Sequence, residues 1–174
     1  MILRASHDNG ATWSAPAPFA ASKEITLPAG DGSSTVQVKF IDHAGNVSLP
    51  ASDTINLDTT KPAGTLQING GADYTNKTAV TLGMTAADGA TGSGISQARY
   101  SLNGTTWSAW EAYKPTRAFT LPAGAGSKTV YAQLKDKAGN ASEPVMDSIT
   151  LDISRPSDGS CTATPNGDNT LLLA

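Results

Sequence analysis

"KTVYAQLKDKAGNASEPVMDSITLD", Lys128–Asp152, is where the chain declares its fold class. Val130, Ala132 and Leu134 alternate with Thr129, Tyr131 and Gln133, the period of a strand with one buried face. "DKAGN", Asp136–Asn140, then supplies the Asp, Gly and Asn that end strands and make turns. "VMDSITL" resumes the alternation and places Ile149 and Leu151 on one face. Two strands joined in this way, in a chain rich in Gly, Ala, Ser, Thr and Pro, predict an all-β protein with many turns.

The same text recurs upstream as "STVQVKFIDHAGNVSLPASDTINLD", Ser34–Asp58. Asn9 falls on Asn103 and Pro62 on Pro156, an offset of 94 residues, which is the size of one small sandwich domain. "TLPAGDGS" matches "TLPAGAGS", and "DTINLDTTKP" matches "DSITLDISRP". Residues 63–156 predict a complete immunoglobulin-like Greek key of about seven short strands. Its expected inner face is Val80, Leu82, Met84, Ala98, Tyr100, Leu102, Val130, Ala132, Leu134, Ile149 and Leu151. Residues 1–62 read as a partial repeat lacking its first two strands. Residues 157–174 read as the start of a further repeat, or as strands that complete the first by complementation within or between chains.

"SHDNGATWS", Ser6–Ser14, fits the Asp-box of sialidase propellers, and its copy "SLNGTTWS", Ser101–Ser108, has lost the aspartate. A propeller needs roughly forty or more residues per blade, so 174 residues cannot hold one of six blades. Arg4, Arg99, Arg117 and Arg155 lie on separate strands and linkers, which argues against a converging arginine triad. The box therefore predicts a turn: Asn-Gly favours positive φ at both central positions, Ser and Asp tie the backbone, and the Trp anchors it.

Composition excludes several classes. Charged residues make up 16% and the net charge is -3, so no basic field gathers nucleic acid. Cys161 stands alone, which rules out an intrachain disulfide, and neither it nor His7 or His43 has partners at zinc spacing. No apolar run approaches the length of a membrane span, and no secretory leader opens the segment. "GATGSG", Gly89–Gly94, is followed by no helical pattern, so it predicts a flexible loop rather than a phosphate cradle. No nucleophile, base and orienting group can be nominated.

"DTTKPAGTLQINGGADYTNKTAVTLGMTAADGATGSGISQARYSLNGTTWSAWEAY", with "D-x-A-G-N" and "LD-x-[TS]-x-P" at each domain end, resembles the bacterial immunoglobulin-like or fibronectin type III-like tandem repeats of large secreted and cell-surface proteins. That resemblance implies stalk, spacer or adhesive roles, an extracellular location, neighbouring repeats as partners, and no catalysis. It also implies calcium at domain junctions, with Asp42, Asp58, Asp136 and Asp152 as candidate ligands. Calcium takes six to eight oxygens, and one junction offers only two repeated carboxylates, Asp136 and Asp152 for example, so other groups would complete the shell. The competing account of the same aspartates is an Asx-turn.

Trp107, Trp110 and Tyr113 are spaced by three, which reverses the face of a regular strand, so one tryptophan is expected at an exposed edge. Trp110 and Tyr113 are the candidates for stacking on a glycan, although capping a small core is the commoner use of such rings. The reading that results is a non-catalytic spacer repeat. Its alternative is a carbohydrate- or protein-binding accessory module.

Overall fold

The computed structural model describes residues 1–156, 163–166 and 170–173. The first unit holds β1 (Ile2–Ser6), β2 (Ala17–Pro18), β3 (Gly32–Ile41) and β4 (Ala51–Leu57), in one sheet of order β2-β1-β3-β4. The second holds β5 (Ala63–Ile68), β6 (Tyr74–Thr75), β7 (Ala79–Ala87), β8 (Ile95–Ser101), β9 (Glu111–Ala112), β10 (Thr116–Thr120), β11 (Gly126–Asp136) and β12 (Val145–Leu151). These make a three-stranded sheet β10-β7-β5 facing a five-stranded sheet β6-β12-β11-β8-β9. All pairings are antiparallel except β6 on β12. The seven expected strands are present, with the brief β6 added along the β12 edge. Among the described residues no helix is long and apolar enough to cross a membrane.

The two inner faces close over Leu66, Ile68, Val80, Leu82, Met84, Ala98, Tyr100, Leu121, Val130, Ala132, Leu134 and Ile149. Every expected core position is buried except Leu102, which is 46% exposed because β8 ends at Ser101 and the chain turns outward. At one edge the sheets are tied by a hydrogen bond from the Ile68 amide to Asp147 Oδ2 at 2.7 Å. Gly64 faces inward where β5 approaches this core: a Cβ there would lie 2.3 Å from Thr85 O and 2.7 Å from Leu134 Cδ1.

The first sheet repeats the second unit's larger one. β3 and β4 fall 94 residues ahead of β11 and β12, and β2 falls 94 ahead of β9. Leu3 and Ala5 are buried, but Ile55, the counterpart of the buried Ile149, is 56% exposed. Among the described residues no second sheet lies over this face of the first unit. Ser22–Thr26, which matches β10, is irregular, because β10 hydrogen-bonds only to β7. A strand without a partner leaves its backbone groups to water. The backbone of β13 (Ala163–Asn166) pairs antiparallel with β14 (Thr170–Leu173), and the two form their own small sheet. Cys161 lies outside the described residues.

Both box segments are turns, as expected. In the first, Ser6 Oγ accepts from the Gly10 amide at 2.9 Å and Asp8 Oδ1 from the Thr12 amide at 2.8 Å, with Asn9 and Gly10 both at positive φ. These bonds, from Ser6 and Thr12 first, hold the Asp8 carboxyl far below the usual carboxylate range. In the second, one residue shorter, Asn103 takes the part of Asp8: its Oδ1 accepts from Thr106 N at 2.8 Å while Ser101 Oγ accepts from Gly104 N. Only Gly104 of that pair has positive φ, so the second turn departs from the expected type I′ geometry.

Candidate metal centre

Three segments meet at the end of the second unit that faces the first. Asp58 precedes Pro62 in the linker, Asp88 follows β7, and Asp136 ends β11. One carboxylate oxygen from each lies within 4.8 Å of the others. The residues are 8%, 8% and 2% exposed, and none has a Lys or Arg within ion-pair distance among the described residues. Three buried like charges without a counter-charge cost free energy unless something positive joins them.

Each carboxylate is aimed by backbone amides. Asp58 accepts from Ser93 N at 2.7 Å and Thr60 N at 3.1 Å, and the Ser93 bonds hold its carboxyl below the ordinary range, opposed by burial and by the nearby Asp31 charge. Asp136 accepts from Gly139 N and Asn140 N on Oδ1 and from Asn140 Nδ2 on Oδ2, while the same Nδ2 donates to Asp58 O at 3.0 Å. Asp88 Oδ2 takes the Gly94 amide at 2.6 Å. Asp88 Oδ1 is buried and has no hydrogen-bond partner among the described residues.

The loop after Asp88, expected to be flexible, is the wall of this cradle. Ser93 Oγ accepts from Ala138 N, Gly94 O accepts from Lys137 N, and a Cβ on Gly92 would lie only 1.6 Å from Asp88 O. Glycine is required there for close approach. The donor set is all hard oxygen and anionic, and one buried oxygen is unsatisfied. That chemistry fits a hard divalent cation such as Ca²⁺, which Asp58, Asp88 and Asp136 would hold with carbonyl or water oxygens completing the shell.

Of the four aspartates proposed from the sequence, Asp58 and Asp136 are brought together. Asp152 is not: Leu151 pairs with Gly126, at the opposite end of β11, which puts Asp152 about 30 Å from Asp136 at 3.3 Å per residue. The expected pairing of Asp136 with Asp152 in one junction is thereby corrected to Asp136 with Asp58. Asp152 is exposed and accepts from Ser154 N and Oγ, which lower its carboxyl. Asp42 is exposed in its own turn and accepts from Ala44 N, Asn46 N and Asn46 Nδ2. Asp88 was missed because nothing in its one-dimensional context distinguishes it from a loop aspartate.

The aromatic candidates lie elsewhere. Trp107 and Trp110 both flank Arg99, at 4.9 and 4.5 Å, on the outer face of β8, and Lys135 lies 4.4 Å from the Trp110 ring centre. Neither points inward, and both are half-buried, so the expected alternation of faces does not occur. Tyr113 packs against the core with its hydroxyl donating to Met84 O at 3.3 Å, which is a core-capping placement. Beside them a cleft of about 480 Å³ lies among Tyr100, Trp107, Arg117 and Phe119. Burial pushes the Tyr100 hydroxyl up to about 12, and Arg117 is paired with Glu111 at 3.0 Å. A smaller cleft lined by Ser6, Trp13, Lys23 and Ile25 occupies the same place in the first unit, so the gap belongs to the repeat framework.

No family model matches this chain, and no curated protein does. Among solved structures it is similar to fibronectin(III)-like modules of CbhA from Clostridium thermocellum, at 14% identity, over 91% of this chain and 83% of that one, with a TM-score of 0.54. The fold is fibronectin type III-like. This agrees with the sandwich expected from the alternating segments.

Proposed function

We propose that this chain is a non-catalytic structural segment of a bacterial extracellular or cell-surface protein, in which β-sandwich repeats set the distance and angle between flanking parts and Ca²⁺ at Asp58, Asp88 and Asp136 stiffens the joint. The observation that carries the reading is the orphaned, buried Asp88 Oδ1 inside a three-carboxylate cradle that includes a linker residue. A cation there would fasten the linker to both sheets of the second unit, because Asp88 follows β7 of one and Asp136 ends β11 of the other. Extracellular calcium modules work at Kd values of about 10⁻⁴ to 10⁻³ M, so a site of that class would fill at calcium concentrations found outside cells. Neighbouring repeats of the same polypeptide are the partners this reading requires, and the non-catalytic character of such module folds supports it.

Isothermal titration of the full chain with Ca²⁺, with melting curves in calcium and in EDTA, tests the proposal. One bound ion and a raised melting temperature are expected. No heat of binding and no shift would overturn the calcium part. Glycan binding lost on Trp110→Ala would replace the spacer reading with that of a binding module.

A further inference from the structure

The linker faces two ways. Asp58 turns its carboxylate into the second unit, toward Ser93, Asp88 and Asp136. The next two residues turn back to Asp31, in the loop that leads into β3 of the first unit. Asp31 Oδ1 accepts from Thr59 N at 2.8 Å and from Thr59 Oγ1 at 2.7 Å, and Oδ2 accepts the Thr60 hydroxyl. Consecutive residues joined by planar peptides thus hold opposite sides of the joint.

We propose that Asp31 is a positioning residue that latches the first unit to the linker, so that cation occupancy at Asp58, Asp88 and Asp136 is transmitted as a fixed angle between the units. This rests on the cation reading of that cluster. Without the ion, only the bonds from Ser93 N and Asn140 Nδ2 hold Asp58 to the second unit among like charges, so the latch ties the first unit to a looser strap. With the ion, Asp58 is fixed, and Thr59 and Thr60 present their donors to Asp31 from a fixed frame.

The second linker shows what the latch depends on. "LDISRP" replaces "LDTTKP", so Ile153 stands at the place of Thr59, and Ala125 stands at the place of Asp31. The Ser154 hydroxyl bonds to Asp152, two residues back, instead of reaching across the joint. The carboxylate acceptor and the Thr59 hydroxyl thus have no counterparts. The exposed Lys61–Glu143 pair, at 2.8 Å, adds little to the first joint, since water and salt screen exposed ion pairs.

¹⁵N relaxation of the full chain, in CaCl₂ and in EDTA, reads the coupling directly, with calorimetry on the same samples. Wild type should tumble as one body in calcium and as two in EDTA. Asp31→Ala, the residue of the second copy, should bind calcium with unchanged stoichiometry yet keep two separate correlation times. Thr59→Ile should behave in the same way, and Asp31→Asn, which retains an acceptor, should recover part of the common tumbling. Asp31→Ala and Thr59→Ile tumbling as one body in calcium would overturn the latch while leaving the cation site standing. Wild type tumbling as one body in EDTA would overturn the coupling. Absence of calcium binding by wild type would overturn the cation reading and the coupling with it.

Discussion

Asp88→Asn should raise the stability of the metal-free protein and remove its response to calcium. Asp88 and Asp136 bring carboxylate oxygens within 4.8 Å of each other. At that separation two unit charges repel by about 3.5 kcal/mol at an effective dielectric of about 20. An asparagine keeps an acceptor for the Gly94 amide and turns the repelling oxygen into a donor toward the remaining carboxylates. A gain of about 1–3 kcal/mol in the metal-free state follows, since bonds to charged groups are worth roughly 1.5–3 kcal/mol. Wild type at a calcium concentration of about 100 times Kd should gain about 2.7 kcal/mol, or roughly 10–20 °C for a unit of this size. The variant should therefore melt higher in EDTA, and calcium should close or reverse that gap by raising wild type alone. Scanning calorimetry of both proteins in both buffers decides it. A variant that melts below wild type in EDTA, or keeps the full calcium shift, would refute the electrostatic account of the cluster.

Three further outcomes are expected. Gly92→Ala must move the Asp88 carbonyl from 1.6 Å to at least normal contact, so calcium heat in titration should vanish; retention of wild-type affinity would mean that the loop is not the wall of the site. Gly64→Ala inserts a methyl group against Thr85 O and Leu134 Cδ1 and should cost about 1–3 kcal/mol in urea unfolding, as overpacked cores do. The Asp8 carboxyl, held below its ordinary value by Ser6 and Thr12, stabilises the fold as the carboxylate. Its contribution is complete above the unfolded value of about 3.9 and is lost as pH falls below it, so a ¹³C carboxyl titration should show Asp8 still ionised at pH 3.9, and protonation at or above that value would contradict the turn geometry.

The sandwich was legible because strand alternation is local. Val80, Leu82 and Met84, or Val130, Ala132 and Leu134, announce a buried face by their own spacing, and the structure buries all six. Leu102 fits the same spacing and is exposed, since alternation cannot say where a strand stops and Asn103 and Gly104 had already begun a turn. Trp107 and Trp110 failed the strand rule for a related reason: Ser108 and Ala109 between them lie in no strand, and Arg99, a residue on another segment, decides where both rings rest. The irregular Ser22–Thr26 makes the same point from the side of pairing. Its sequence resembles β10, but a strand is a property of two segments, and among the described residues none pairs with it as β7 does with β10.

The acidic cradle was half legible. Repetition drew attention to Asp58 and Asp136 because each has a copy 94 residues away, but repetition also suggested the wrong companion. Asp136 and Asp152 are near in sequence, only 16 positions apart, yet β12 runs back along β11 and carries Asp152 to the far end of the unit. Asp58 is 78 positions from Asp136 and reaches it because β5, which the linker enters, runs beside β12, with Asp147 binding the Ile68 amide. Antiparallel return thus separates what the sequence places close and joins what it places apart. A domain boundary drawn at Pro62 would cut Asp58 from the site it completes. If the cradle holds a cation, the functional unit begins at Asp58, and a fragment starting at residue 63 should fold around the same core yet bind calcium more weakly than one starting at residue 57.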